Sequence, residues 1–424
     1  MEVVVSSREI IKPSSPTPNH LKKLNFSLND QYSTHYVSVL LFYSAQGDVD
    51  RFKQTNTSDR LKKSLSEILT QFYPLAGRII NNECIDCNDD GLEYLEARVP
   101  CPLSQLLGCP KADELNQLIP FSQKLSAVQV SLFDCGGIAI GVTISHTAGD
   151  ASSLTAFINS WAATAKGANE IVPPKFGFDY LFPPRDVPTV SFGGGAVDYT
   201  QLPRFVGKRF IFDSSKLAAL KSACADVERP TRVEVVTAFI YKCFLNTIRS
   251  RSSKPSVLSM PINLRGRMNP PLPPHSFGNL AIRLTSQPWP AEKEPELNCL
   301  VKQLRETIRK VNGGFVEKLQ ADNAELLFEH WKDWKKGIEL SLTGDLNVLM
   351  VLICCRFPFY EADFGWGKPA WATRVNLYPS VSLVDTKDGE GVEAWVTLAE
   401  GDMTRFCSEP DLLDFSIENP PIHE

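Results

Sequence analysis

The sequence predicts a two-domain protein of the α/β or α+β class, and three observations carry that prediction. The chain has 424 residues, too many for a single core of ordinary size. Strand-like and helix-like patterns mix along its whole length, which fits α/β or α+β packing better than an all-β fold. Between the halves, from about Ile171 to Pro203, runs a Pro- and Gly-rich stretch without a sustained period. That composition suits a long crossover. The boundaries placed on it are 1–190, 191–205 as part of the crossover, and 206–424.

Each element follows from local pattern. Asp59 to Tyr73 reads as a helix, since Leu61, Leu65, Ile68, Leu69 and Phe72 form one stripe that Pro74 ends. Gly91–Val99 reads as a strand. Ile138 to Ser145 alternates apolar and small residues, as a half-buried strand does. Beyond it Leu154, Phe157, Ile158 and Trp161 recur at helical spacing, with Asp150 where an N-cap belongs. In the second half Lys208–Asp213 reads as a strand and Ser214–Ala225 as a helix capped by Ser214 or Ser215. Arg232–Ile248 is a mostly buried helix, and Ser256–Leu264 a strand entering a Pro-rich loop. Glu296–Val311 is a further helix, and strands are expected near 346–356 and 391–399. Leu346–Cys355, the most apolar run, is too short to cross a bilayer and reads as a buried strand.

Composition excludes several functions. The formal charge is −5 with no basic block, so nucleic acid is not an expected partner. The first residues, MEVVVSSREIIKPSSPTP, carry neither a basic leader nor a long apolar core. A secretory signal and a membrane span are therefore not expected. Eleven scattered cysteines read as reduced thiols of a cytoplasmic protein rather than a disulfide framework. Cys84 and Cys87 form a CxxC with no second pair and no neighbouring histidine, so no metal site is predicted.

Three stretches could carry chemistry. His146 falls in the turn between the Ile138–Ser145 strand and the helix after it, at an edge where α/β proteins bind ligands. An ordinary histidine is a passive, hydrogen-bonded one. Here small Ala148 and Gly149 leave room for a ligand, and an imidazole there can take a proton from a hydroxyl. Asp150 is either a simple N-cap, a partner of the ring, or one half of an ion pair that fixes the turn; the last is favoured. Arg265 and Arg267, after a strand end, are the candidates to pair with Asp150 or with Asp363. Asp363, Gly365, Trp366 and Gly367 lie in DFGWG, a loop after an apolar strand. A kinase reading of DFG fails, because the glycine-rich loop, HRD and VAIK are missing. The plainer reading is a tight turn whose glycines take positive φ. The sequence also lacks GxSxG, Walker A and dinucleotide fingerprints. Direct base-assisted transfer, without a covalent acyl-enzyme, is thus the favoured chemistry.

HTAGD, an HxxxD pattern, followed much later by an intact DFGWG, resembles the BAHD plant acyltransferase family. FYPLAGRI, DCGGIAIGVTISH, NLRGRMNPPLP with SFGN, and GEGVEAW extend the resemblance over essentially the whole chain. Within the family, IKPSSPTP and IDCNDDGLEYLEARV are most similar to the vinorine synthase group, which acetylates alkaloid alcohols and has relatives acting on terpenoid alcohols. The resemblance implies an α/β fold of two similar-sized mixed-sheet domains of the chloramphenicol acetyltransferase type, with a solvent channel between them and part of 360–390 packing with the first domain. It implies acetyl-CoA as co-substrate, a small-molecule alcohol as acceptor, no permanently bound cofactor and a monomer. It makes His146 the general base and names Asp150 and Asp363 with it as catalytic residues. Asp150 points away from the acceptor and pairs with Arg265 or Arg267, and Asp363 with the DFGWG loop lies away from the histidine, serving architecture more than proton transfer. It assigns acyl-CoA contacts to Trp366, Ser259, Lys254 and Asn279, with Arg251 and Lys208 beside Lys254 as phosphate candidates. Thr147 stands where alkaloid-acetylating relatives often carry lysine, which weakens the case for an alkaloid acceptor. Transfer of a larger acyl group, thioester hydrolysis and an inactive CoA-binding protein are the competing readings.

Overall fold

The computed structural model describes residues 1–423 apart from positions 34, 46–55, 169, 187–202, 322–324 and 377. Two large mixed sheets organise the chain. The first has six strands in the order Val4–Ile11, Leu92–Val99, Ser126–Phe133, Ile138–Ser145, Tyr36–Tyr43 and Trp371–Thr373. Leu92–Val99 and Ser126–Phe133 run parallel, and the other neighbours antiparallel. The second has seven, in the order Ala281–Thr285, Ser256–Asn263, Asn347–Ile353, Ser380–Asp385, Val392–Ala399, Phe205–Phe212 and Ile417–Glu418. Trp371–Thr373 comes from the second half of the sequence yet closes an edge of the first sheet, pairing with Phe42, Leu41 and Leu40.

The strand Ile138–Ser145 is buried at every residue, rather than half-buried. Its small residues answer to packing, not to water. A Cβ on Gly141 would collide with the Leu118 carbonyl. The helix after it, Ala151–Lys166, lies against Asn56–Gln71. Their apolar stripes meet there, with Phe72 edge-on to Phe157 at 5.3 Å. The buried Trp161 indole N–H donates to Leu61 O at 3.2 Å and Ser64 Oγ at 3.1 Å. The first helix ends at Gln71, two residues earlier than expected, and Tyr73–Ala76 turns as a short 3-10 helix with Pro74 in its first turn.

In the second half the helix Ser214–Ala223 is capped by Asp213, whose carboxylate accepts from Lys216 N–H at 2.9 Å. Neither Ser214 nor Ser215 is the cap, because Asp213 already holds the extended position one residue before the helix. Part of the expected crossover, 187–202, lies outside the described residues. Its beginning is packed rather than free: Phe178 and Phe182 are buried in the second sheet's core, and Phe182 O accepts from Leu28 N–H at 2.8 Å.

A buried polar knot joins the sheets where GEGVEAW meets the strand after DFGWG. Glu393 accepts from Arg209 Nε at 2.7 Å, Trp371 Nε1 at 2.9 Å and Thr373 Oγ1 at 2.6 Å. Trp371 and Thr373 belong to the first sheet, Arg209 and Glu393 to the second. With every partner satisfied, the knot fixes how the sheets face each other.

Candidate active site

Between the sheets lies a cavity of about 490 Å³ lined from both: Asn29, His35 and His146 from one side, Asn263, Arg283 and Met350 from the other. A chamber of that size suits a small molecule. His146 enters it because the Ile138–Ser145 strand ends one residue before it, and the chain must then turn into the helix that Asp150 caps.

The imidazole is held on both sides. Its ring lies 4.4 Å, centroid to centroid, from that of His35. Nδ1 is 2.7 Å from Asn279 Oδ1. Asn279 Nδ2 donates to the His146 carbonyl at 2.5 Å and to Asp30 Oδ1 at 2.8 Å. A backbone carbonyl only accepts, so the amide nitrogen must face it and the amide oxygen must face Nδ1. Nδ1 therefore carries the hydrogen, and Nε2 keeps its lone pair on a ring that lines the cavity. Burial lowers the imidazole to about 4, with Arg374 pushing the same way while Asp150 and the bond to Asn279 oppose. A neutral ring with a bare Nε2 can accept a proton from a bound hydroxyl.

Asp150 caps the helix and pairs with Arg265. Its Oδ1 accepts from Ser153 N–H at 2.9 Å, and its two oxygens take the guanidinium bidentately at 2.7 and 3.0 Å. Leu280 N–H adds a bond at 3.2 Å. Burial would raise this carboxyl, but Arg265 and these donors hold it below the usual range. Arg265 is fixed in turn by Ser276 O and Gly278 O. Arg267 does not share the pair; its Nη1 donates to Val311 O at 3.0 Å. The smallness of Ala148 and Gly149 is also explained by protein packing. Ala148 is buried in the first core. A Cβ on Gly149 would sit 2.8 Å from Ser153 Cβ and 3.0 Å from Phe277.

Asp363 belongs to the opposite end of the helix Ala151–Lys166, about 24 Å away at 1.5 Å per residue. Its Oδ2 accepts from Lys166 at 2.6 Å, and its Oδ1 from Gly365 and Gly367 N–H at 2.8 and 2.9 Å. Both glycines have positive φ, 99° and 106°. Asp363 thus folds the DFGWG loop away from His146, the architectural place that the resemblance implies. Trp366 also lies away from the cavity lining. It stacks on Phe364 at 5.5 Å and sits under the Arg60 guanidinium at 5.1 Å.

The remaining acyl-CoA assignments fare differently. Asn279 turns out to hold the imidazole. Ser259 is buried inside the second sheet, outside the cavity lining. Lys254 pairs with Asp345 at 2.9 Å, Arg251 bidentately with Asp402, and Lys208 with Glu418 at 2.6 Å. Sequence reasoning missed His35, Arg283 and Arg374, all of which line the cavity. Nothing local marks them, since each becomes notable only through neighbours from other strands. At Cys87, burial pushes the thiol up to about 12, the mark of an inert core thiol.

Residues 1–413 match the sequence profile of the Transferase family. The chain is 38% identical over 444 residues to limonoid 21-O-acetyltransferase of Citrus sinensis, covering 100% of both. It is 38% identical over 446 residues to stemmadenine O-acetyltransferase of Catharanthus roseus, covering 99% of both. The crystal structure of vinorine synthase superposes with a TM-score of 0.81 at 33% identity, covering 100% of both chains.

Proposed function

From the premise that this chain belongs to the BAHD Transferase family of acyl-CoA-dependent acyltransferases, we propose that it acetylates a hydroxyl of a bulky plant specialised metabolite, with acetyl-CoA as donor. The observation that carries this reading is the imidazole of His146, lone pair on Nε2, at the wall of a chamber between the sheets. Nε2 takes the proton of the acceptor hydroxyl as its oxygen attacks the thioester carbonyl. The tetrahedral intermediate collapses with cleavage of the C–S bond, and the departing thiolate recovers the proton from the imidazolium. Products are the acetyl ester and free CoA, with no net proton change on the enzyme. Asn279 positions the ring, and Asp150 with Arg265 holds the turn.

Acetyl rather than a larger acyl group is favoured because the relatives described above are acetyltransferases by name. Those relatives divide the acceptor between limonoid and alkaloid alcohols, and Thr147 after the histidine leans toward the terpenoid side. Eleven free thiols fit a reducing cytosol, where we place the protein as a monomer. Among the described residues no helix is long and apolar enough to cross a membrane.

The test is CoA release from acetyl-CoA with a panel of limonoid, other terpenoid and alkaloid alcohols, wild type beside His146→Ala. Release that needs an alcohol and drops about 10²–10⁴-fold in the variant is expected. Transfer that survives in His146→Ala contradicts the mechanism. Release that is independent of any alcohol indicates thioester hydrolysis instead.

A further inference from the structure

Two guanidiniums project into the same chamber, one from each sheet. Arg283 lies on Ala281–Thr285, opposite Pro261, and Arg374 directly follows Trp371–Thr373. Arg374 is 5% exposed. Among the described residues neither meets a carboxylate. Arg374 bonds only the Cys354 sulfur at 3.6 Å and the Tyr378 phenol. Arg283 lies over the Trp334 ring at 5.4 Å, with Tyr32 and Tyr378 beside it. Arg283 Nη1 and Arg374 Nε are enclosed without any acceptor. Among the described residues the one acidic side chain lining the chamber, Asp150, is already taken by Arg265.

Arg265 shows what this protein does with a buried guanidinium that serves only structure: it gives it a bidentate carboxylate and two carbonyls. Leaving two others without a carboxylate among the described residues is costly: burial pulls Arg283 below its ordinary range, while at Arg374 burial is outweighed by Cys354 and Tyr378, which hold it above its own. A planar fork is suited to a carboxylate.

We propose that the chamber recognises a carboxylate carried by a reactant, held between Arg283 and Arg374 while a hydroxyl reaches His146. This rests on the reading of the chamber as the substrate site. The acceptor class it selects is a bulky hydroxy acid, and a protonated amine is excluded by the same two charges. A dicarboxylic acyl donor such as malonyl-CoA would present the same group, so the experiment separates the two sources.

Binding is measured first, by calorimetry, with adamantane-1-carboxylate, adamantane-1-carboxamide and 1-adamantylammonium. The carboxylate should bind about 10–100-fold more tightly than the carboxamide, the range of charge-assisted hydrogen bonds, and the ammonium not at all. Arg283→Met and Arg374→Met should each erase the preference, and His146→Ala should keep it. Should Arg374→Met not fold, Arg374→Lys is expected to retain the preference and Arg283→Met alone to remove it. Equal binding of carboxylate and carboxamide, or a preference surviving in Arg283→Met, overturns the inference. CoA release then assigns the source. Faster transfer to lithocholic acid than to its methyl ester, with acetyl-CoA, places the carboxylate on the acceptor. Preference for malonyl-CoA over acetyl-CoA with the methyl ester places it on the donor. Efficient acetylation of neutral alcohols with no anion preference in binding overturns this inference and leaves acetyl transfer standing. An anion preference without CoA release from any alcohol supports the anion site and overturns the transfer reading.

Discussion

The two ends of the helix Ala151–Lys166 each carry an aspartate paired with a basic side chain, and the surroundings give the pairs different work. At the first end, Asp150 and Arg265 are 11% and 6% exposed at their side chains. At the other, Asp363 and Lys166 are 19% and 57% exposed. The buried pair sets the backbone that presents His146, and neither member can be removed without stranding the other's charge. The outer pair sits where water can replace either partner. What keeps the DFGWG loop folded is less the lysine than the two glycine N–H groups that Asp363 accepts. Two conspicuous acidic motifs thus differ not in residue type but in what is stranded when one partner leaves.

Substitution makes that difference measurable. Arg265→Met leaves the Asp150 carboxylate uncompensated and should cost about 3–5 kcal/mol in denaturant unfolding. Lys166→Met, in the same assay, should change stability by no more than about 1 kcal/mol. Similar values for the two would erase the contrast. Asn279→Ala sharpens it at the reacting end. Losing the group that aims the imidazole should lower kcat by about 10²-fold with the KM for acetyl-CoA unchanged. A raised KM at intact kcat would instead return Asn279 to acyl-CoA binding. Asp363→Ala tests the far end. Two backbone donors lose their acceptor, at about 1–3 kcal/mol, while kcat of the folded fraction holds. A kcat loss beyond the folded fraction would put Asp363 back among the catalytic groups.

Much of this geometry was legible in the chain. A strand running into a turn with aspartate ahead of an apolar stripe located His146 and Asp150, because both signals are local. The Asp150–arginine pair was legible as a choice between Arg265 and Arg267, since sequence spacing cannot say which side of a 3-10 turn faces inward. The amide of Asn279, expected at the acyl-CoA, holds the imidazole of His146. It lies 133 residues from His146, and a neutral side chain at that distance leaves no pattern. The same holds for Arg283 and Arg374, which meet no carboxylate among the described residues, a property of the assembled chamber. The small residues Ala148 and Gly149 were read as room for a ligand, whereas Ala148 is buried in the first core and Ser153 and Phe277 fill the space beside Gly149.

The account turns on one proton. An imidazole lowered to about 4 stays neutral where a free one, near 6.5, would be half charged. Between those values the unfolded chain binds a proton that the folded site refuses, so this group lowers stability as pH falls from about 6.5 toward 4. The base nonetheless remains competent over that window. The direct measurement is ¹⁵N NMR of histidine-labelled protein, with the His146 signals identified by their loss in His146→Ala. At pH 6 the account predicts a neutral ring, protonated at Nδ1 and bare at Nε2, that titrates only as the pH nears about 4. An Nε2–H tautomer, or an imidazolium already formed at pH 6, would contradict it.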